Sequence, residues 1–291
     1  MKMIIGNWKM NPVTVVEGEK IIKFVQKTLA SFKYTKVAVC PQSLHVGMLQ
    51  KNLSKGKLIY GAQNCSAEDT GSFTGQVSPA SLKKVGVTMV ILGHSESRIS
   101  GDTPELVGHK VVAVLRNGIT PVVCVGERVR DDAGAFFAEV ESQLRSALKA
   151  VPRTDGGRII IAYEPVWAIG ARASRPATPE DLQEMIIYIR KTLVSLFGRE
   201  TAFLIPILYG GSADATNAEA FLTRGGADGL LVGRASLDAK LFAQMLAIAE
   251  QIGVSANPLQ KKGKTSSRLE TGKADRETKK HRPRHPVPPK N

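Results

Sequence analysis

Glu164 ends the apolar run Ile159-Ile160-Ile161-Ala162-Tyr163 and precedes Pro165-Val166-Trp167-Ala168-Ile169-Gly170. A carboxylate at a strand end, under a loop carrying Trp and Ile, is placed to act as a general base. An apolar cover desolvates it and strengthens its basicity. An isolated Glu before a loop is far more often an ordinary surface residue, so Glu164 gains meaning only from its company. His94 follows Val90-Ile91-Leu92-Gly93 and precedes Ser95-Glu96. A His there can be an electrophile, a metal ligand or a satisfied polar group. No second His lies close enough in sequence to suggest a metal site, since His45 and His109 fall in helical stretches. Asn7 and Lys9 are two apart, so on one strand they share a face. Lys would supply fixed positive charge and Asn a hydrogen bond, although a Lys on a strand rim is equally commonplace. Three small-residue clusters, at Gly170, Tyr209-Gly210-Gly211-Ser212 and Val232-Gly233-Arg234, suit phosphate. Glycine lets the backbone approach a ligand, and free N–H groups cradle an anion.

Positioning these groups requires elements that end at one place. Eight short apolar runs read as strands: Met3–Trp8, Val37–Cys40, Leu58–Ala62, Thr88–Leu92, Thr120–Val125, Arg158–Tyr163, Phe203–Tyr209 and Gly229–Val232. Near-continuous apolar runs mark strands buried on both faces. Amphipathic stretches separate them. In the clearest, Leu182, Met185, Ile186, Ile189, Leu193 and Leu196 fall on one helix face. Thr178-Pro179-Glu180-Asp181 supplies its N-cap, first-turn proline and first-turn acids, and Gly198 a stop. Eight βα repeats fit a (β/α)8 barrel, with an open doubly wound sheet as the alternative. In a barrel all strand C-termini open on one face, so Asn7, Lys9, His94, Glu164, Gly210 and Gly233 would converge there.

The chain has 291 residues, 43% hydrophobic and 23% charged, which suits a soluble globular domain. Cys40, Cys65 and Cys124 are widely spaced and odd in number, which fits a reducing, cytoplasmic setting rather than a disulfide framework. The opening apolar run stops at Gly6, too soon for a signal peptide, and no stretch approaches the ~18 apolar residues of a membrane span. The net charge is +14, and residues 256–291 hold 11 basic side chains against 3 acidic ones, more than half of that excess. Two parts are therefore expected: a barrel domain over 1–253 and a basic, Pro-containing tail over 254–291. The tail cannot bury enough apolar surface to offset ordering, and it reads as disordered from Ala256 to Asn291.

Eight segments in register resemble the triosephosphate isomerase family: GNWKMN at 6–11, GAQN at 61–64, GSFTG at 71–75, VILGHSE at 90–96, CVGE at 124–127, AYEPVWAIG at 162–170, YGGS at 209–212 and LVGRASL at 231–237. The resemblance runs from Met1 to about Gly253. It implies an intramolecular isomerase of glycolysis and gluconeogenesis acting on a triose phosphate without a cofactor or metal. By the same resemblance, Glu164 is the catalytic base, His94 the electrophile, and Lys9 and Asn7 the substrate-binding pair, with Glu96 supporting Lys9. Gly170, Ser212, Gly233 and Arg234 occupy phosphate-binding positions, where backbone N–H groups matter. Residues 165–175 would be a lid that excludes water.

Departures from the family pattern carry expectations too. Ser97-Arg98 stands where the family has two arginines, which weakens packing support but spares the chemistry. Arg234 replaces a glycine yet keeps its N–H. Asp102 lies near a family Glu, in a segment one residue short. Ala171–Pro176 replaces a shorter stretch, and Pro176 should stiffen that hinge. The resemblance further implies a homodimer through residues 65–79, with Thr74 reaching the partner's Asn7–Lys9 region. Other readings are a different sugar-phosphate barrel enzyme, or a carrier whose tail recruits nucleic acid or an anionic surface. The tail would bind polyanions weakly and without sequence preference.

Overall fold

The computed structural model describes residues 1–53, 56–131, 133–170, 173 and 175–256. Eight strands are present among them: β1 Lys2–Asn7, β2 Thr35–Cys40, β3 Ile59–Ala62, β4 Met89–Leu92, β5 Thr120–Val125, β6 Ile160–Tyr163, β7 Ile207–Tyr209 and β8 Gly229–Val232. They close into a barrel in sequence order, with β1 paired in parallel to both β2 and β8. The open-sheet alternative is thereby set aside. Helices α1 Val15–Leu29, α2 Ser43–Leu53, α3 Pro79–Lys84, α4 Ser95–Ile99, α5 Pro104–Arg116, α6 Ala135–Leu148, α7 Pro179–Phe197, α8 Arg199–Leu204, α9 Ala218–Thr223 and α10 Ala239–Ser255 connect or follow them. None is long and apolar enough to cross a membrane.

Strand residues alternate between two apolar clusters, as a pleated strand requires. One cluster fills the barrel: Ile5, Ala38, Cys40, Met89, Ile91, Val122, Cys124, Ile160, Ala162, Leu208 and Leu231. Their neighbours Ile4, Val39, Val90, Val123, Ile161, Ile207 and Leu230 belong to the larger cluster shared with the helices. Truncating a fully buried member such as Ile91 to Ala would cost about 2–5 kcal/mol. The alternation also aims the site. Continuing the inward register of Ile5 gives Asn7, and continuing that of Ile160 and Ala162 gives Glu164.

Two strand expectations are corrected. Phe203 and Leu204 belong to α8, and β7 starts only at Ile207, after Pro206. Arg158 ends a 3-10 turn that begins at Arg153, so β6 is shorter at its start. The expected start of α7 holds. Thr178 accepts from the Asp181 N–H, Asp181 accepts from the Thr178 N–H, and Pro179 stands in the first turn. Gly198 ends the helix at φ 81°, a conformation that favours glycine.

Met1–Val254 forms one compact unit. Helix α10 continues through Ser255, two residues past Gly253. The expected disorder over 256–291 falls, from residue 257 on, outside the described residues.

Candidate active site

At the C-terminal ends of the strands lies a cleft of about 970 Å3. Asn7, Lys9, His94, Gly170, Ser212, Gly233 and Arg234 all line it. Glu164 does not. It lines an adjoining cavity of about 380 Å3, and Ser95, Ile99 and Val166 form part of both walls.

His94 is the N-cap of α4, and its Nδ1 accepts the Glu96 N–H at 3.2 Å. An acceptor nitrogen carries no proton, so the neutral ring holds its hydrogen on Nε2. That nitrogen lies 3.1 Å from Glu164 Oε1. The approach is off the hydrogen-bond line, and Oε1 is left buried without a partner. The other oxygen, Oε2, accepts the Ser95 N–H at 2.9 Å. With its side chain only 2% exposed, Glu164 is a carboxylate held in a dry position with one oxygen free.

Asn7 and Lys9 reach the cleft by a route other than a shared strand face. Strand β1 ends at Asn7, and Lys9 adopts φ 52°, a conformation uncommon for a side-chain-bearing residue. Asn7 Oδ1 accepts the Lys9 N–H at 3.1 Å, and Gln63 Nε2 donates to the Lys9 carbonyl at 2.7 Å. These bonds hold the turn. Lys9 Nζ then lies 2.6 Å from Glu96 Oε1.

At two of the strand-end glycines, neighbours stand where a Cβ would go. At Gly210 a Cβ would sit 2.9 Å from Glu164 Cγ, and at Gly211 it would strike the Tyr209 ring. A profile of the triosephosphate isomerase family matches residues 2–249. The triosephosphate isomerase of Aquifex aeolicus is 42% identical over 248 residues, covering 84% of this chain and 98% of that protein. That of Thermoanaerobacter sp. strain X514 is 39% identical over 248 residues, with the same coverage. That of Carboxydothermus hydrogenoformans is 41% identical over 245 residues, covering 84% and 96%.

The chain belongs to the triosephosphate isomerase family.

Several groups around this triosephosphate isomerase site escaped residue-type reasoning. Glu127, fully buried after β5, accepts from Tyr163 Oη at 2.7 Å and Trp167 Nε1 at 2.6 Å. Burial pushes its carboxyl above the usual range, against those two donors and the Arg130 charge. Arg130 pairs also with Glu184 and lies 3.7 Å from Asp181. Arg175 stacks on Trp167 with its guanidinium carbon 4.6 Å from the ring centroid, and it binds both oxygens of Asp181. Those bonds hold the Asp181 carboxyl down at about 2. The start of the loop after β6 is thus tied through Glu127 and Arg175 to β5 and α7. The signal for Glu127 was present: like Glu164, it is a Glu just past an apolar strand.

Arg98 ties two strand ends, donating from Nε to Gly93 O at 2.8 Å and from Nη2 to Cys124 O at 3.1 Å. Asp102 pairs with Lys110 at 2.6 Å. Residues 171, 172 and 174 of the altered loop lie outside the described residues.

Proposed function

We propose that this chain interconverts dihydroxyacetone phosphate and D-glyceraldehyde 3-phosphate by proton transfer through an enediolate. The observation that carries this reading is the free, buried Glu164 oxygen 3.1 Å from an imidazole nitrogen whose proton the helix fixes. Carboxylate base with neutral imidazole is the established pairing of this enzyme family.

Glu164 leaves the Ser95 N–H, enters the cleft and takes a proton from the substrate carbon beside the carbonyl. The C–H electron pair forms the enediolate double bond, and the carbonyl pair moves onto oxygen. His94 Nε2–H hydrogen-bonds that oxygen as charge develops, where a preorganised donor stabilises the transition state most. Glu164 returns the proton to the neighbouring carbon, while a proton passes between the two oxygens at His94. Lys9 offers positive charge to the developing anion, and Asn7 holds the Lys9 turn. Gly170, Ser212, Gly233 and Arg234 present backbone N–H groups to the phosphate. Val166 and Ile169, in the cleft wall, are the apolar groups that exclude water. Exclusion matters because an exposed enediolate phosphate eliminates its phosphate.

The active form in this reading is a cytoplasmic homodimer. Met10, Val13, Leu44, Met48 and Phe73 are exposed in the single chain, on segments that follow β1, β2 and β3. In this reading the partner chain covers these apolar groups. Thr74 stands exposed beside Phe73, free to reach a partner. The test is a coupled isomerase assay with either triose phosphate. Turnover in both directions supports the reading, and absence of turnover by the pure full-length chain overturns it.

A further inference from the structure

Two cations line the cleft, and they differ in one respect. Lys9 is engaged by Glu96 at 2.6 Å. Arg234 opens the 3-10 turn Arg234–Leu237, one residue after β8, and is exposed. Its guanidinium has no ion pair or hydrogen bond among the described residues. Each aspartate of the cleft wall has one carboxylate oxygen engaged by its own loop. Asp238 Oδ1 accepts the Lys240 and Leu241 N–H groups at 2.8 and 3.1 Å, at the start of α10. Asp214 Oδ1 accepts from the Thr216 N–H at 2.7 Å and its hydroxyl at 2.6 Å. Arg234 shares its wall with Gly211, Ser212 and Gly233. A Cβ at Gly233 would lie 3.6 Å from Lys9 Cε, so the tip of β8 lies against the lysine's stem.

We infer that the Arg234 side chain, beyond its backbone N–H, binds the phosphate of the substrate. A planar guanidinium donates two parallel N–H bonds to two oxygens of a phosphate monoester, which a glycine at this position cannot do. The unpaired cation supplies counter-charge that the surrounding peptide dipoles lack, while Lys9 remains with Glu96 and the reacting carbons. The site therefore selects phosphorylated over neutral trioses through a side chain, and its affinity is salt-sensitive. This rests on the isomerase reading only for the identity of the triose; the phosphate monoester follows from the guanidinium and its neighbours.

The test uses the full chain with Arg234→Ala and Arg234→Lys. For Arg234→Ala, the KM for D-glyceraldehyde 3-phosphate rises about tenfold, the lower range for a hydrogen bond to a charged group. The Kd for glycerol 3-phosphate, read by calorimetry, weakens by the same factor. The kcat/KM for unphosphorylated D-glyceraldehyde falls by a smaller factor, and the melting temperature stays at its wild-type value because the side chain is exposed. Arg234→Lys recovers part of the affinity as a point charge. Wild-type KM and Kd in Arg234→Ala would overturn the inference, as would an equal loss on D-glyceraldehyde. Arg234-dependent binding of glycerol 3-phosphate by a wild-type chain without isomerase activity would sink the isomerase reading and leave this inference standing.

Discussion

Glu164 keeps one oxygen on the Ser95 N–H and leaves the other buried without a donor, so replacing it separates chemistry from binding. Glu164→Ala should lower kcat by about 10^3-fold, the middle of the range for a positioned base, while the glycerol 3-phosphate Kd moves little. Steady-state kinetics and calorimetry read the two; near wild-type turnover would remove Glu164 from the role of base. A subtler probe is Gly210→Ala. The new methyl would lie 2.9 Å from Glu164 Cγ and 3.2 Å from the Tyr163 carbonyl, so the carboxylate must shift. A displacement of this size costs about 10^2-fold in kcat, with KM nearly unchanged. An unaltered kcat would mean the base has room to spare. Glu164 and His94 were legible as strand-end candidates, but their roles came only from the family-like segments in register around them. Lys9 was legible as a residue but not as a geometry, because φ 52° depends on the Asn7 side chain folding back onto the chain. The Ser95 N–H left no trace at all, since a backbone donor has no residue-type signature.

The loop after β6 is anchored by a carboxylate that burial disfavours. Glu127 is held above its ordinary value of 4.5 chiefly by desolvation, with Tyr163, Trp167 and Arg130 opposing. A carboxyl whose folded pKa exceeds its unfolded one binds more protons in the native state. Its contribution to stability is therefore present below about pH 4.5 and is lost as pH rises through the folded pKa. Glu127→Gln cannot titrate and still offers an oxygen to Tyr163 and Trp167. Its urea midpoint should stay flatter than that of wild type as pH rises above 4.5. Parallel midpoint curves would show that Glu127 does not titrate in that window. At this scale the sequence carried the start and stop of α7, because Thr178, Pro179, Asp181 and Gly198 act locally. It misled at β7. Phe203 and Leu204 are apolar, and a short apolar run does not distinguish strand from helix. Pro206 held the missing information, for the residue before a proline avoids helical backbone, and Ile205 is extended at ψ 115°.

Eight βα repeats left barrel and open sheet both standing and only the family-like segments favoured closure, while assembly and the tail depend on surfaces whose partners one chain does not contain. With Met10, Val13, Leu44, Met48 and Phe73 exposed, a lone barrel would present these apolar groups to water. Sedimentation at micromolar concentration should give a dimer, and Phe73→Asp should shift it toward monomer with lost turnover. An active wild-type monomer would refute the dimer. The tail's 11 basic side chains over 256–291 act differently. Their charge is the only feature the sequence gives, so a hold on nucleic acid is expected to come from counterion release and to fall steeply with salt. The informative comparison is the full chain against one ending at Ala256. The cut belongs there rather than after Gly253 because α10 runs through Ser255. Both proteins should isomerise at the same rate, and only the full chain should be retained on DNA at low salt and released as salt rises. Loss of turnover on truncation would place the tail on the barrel. Retention that ignores salt and depends on base sequence would make the tail a reader of nucleic acid, because phosphate contacts alone carry no sequence information.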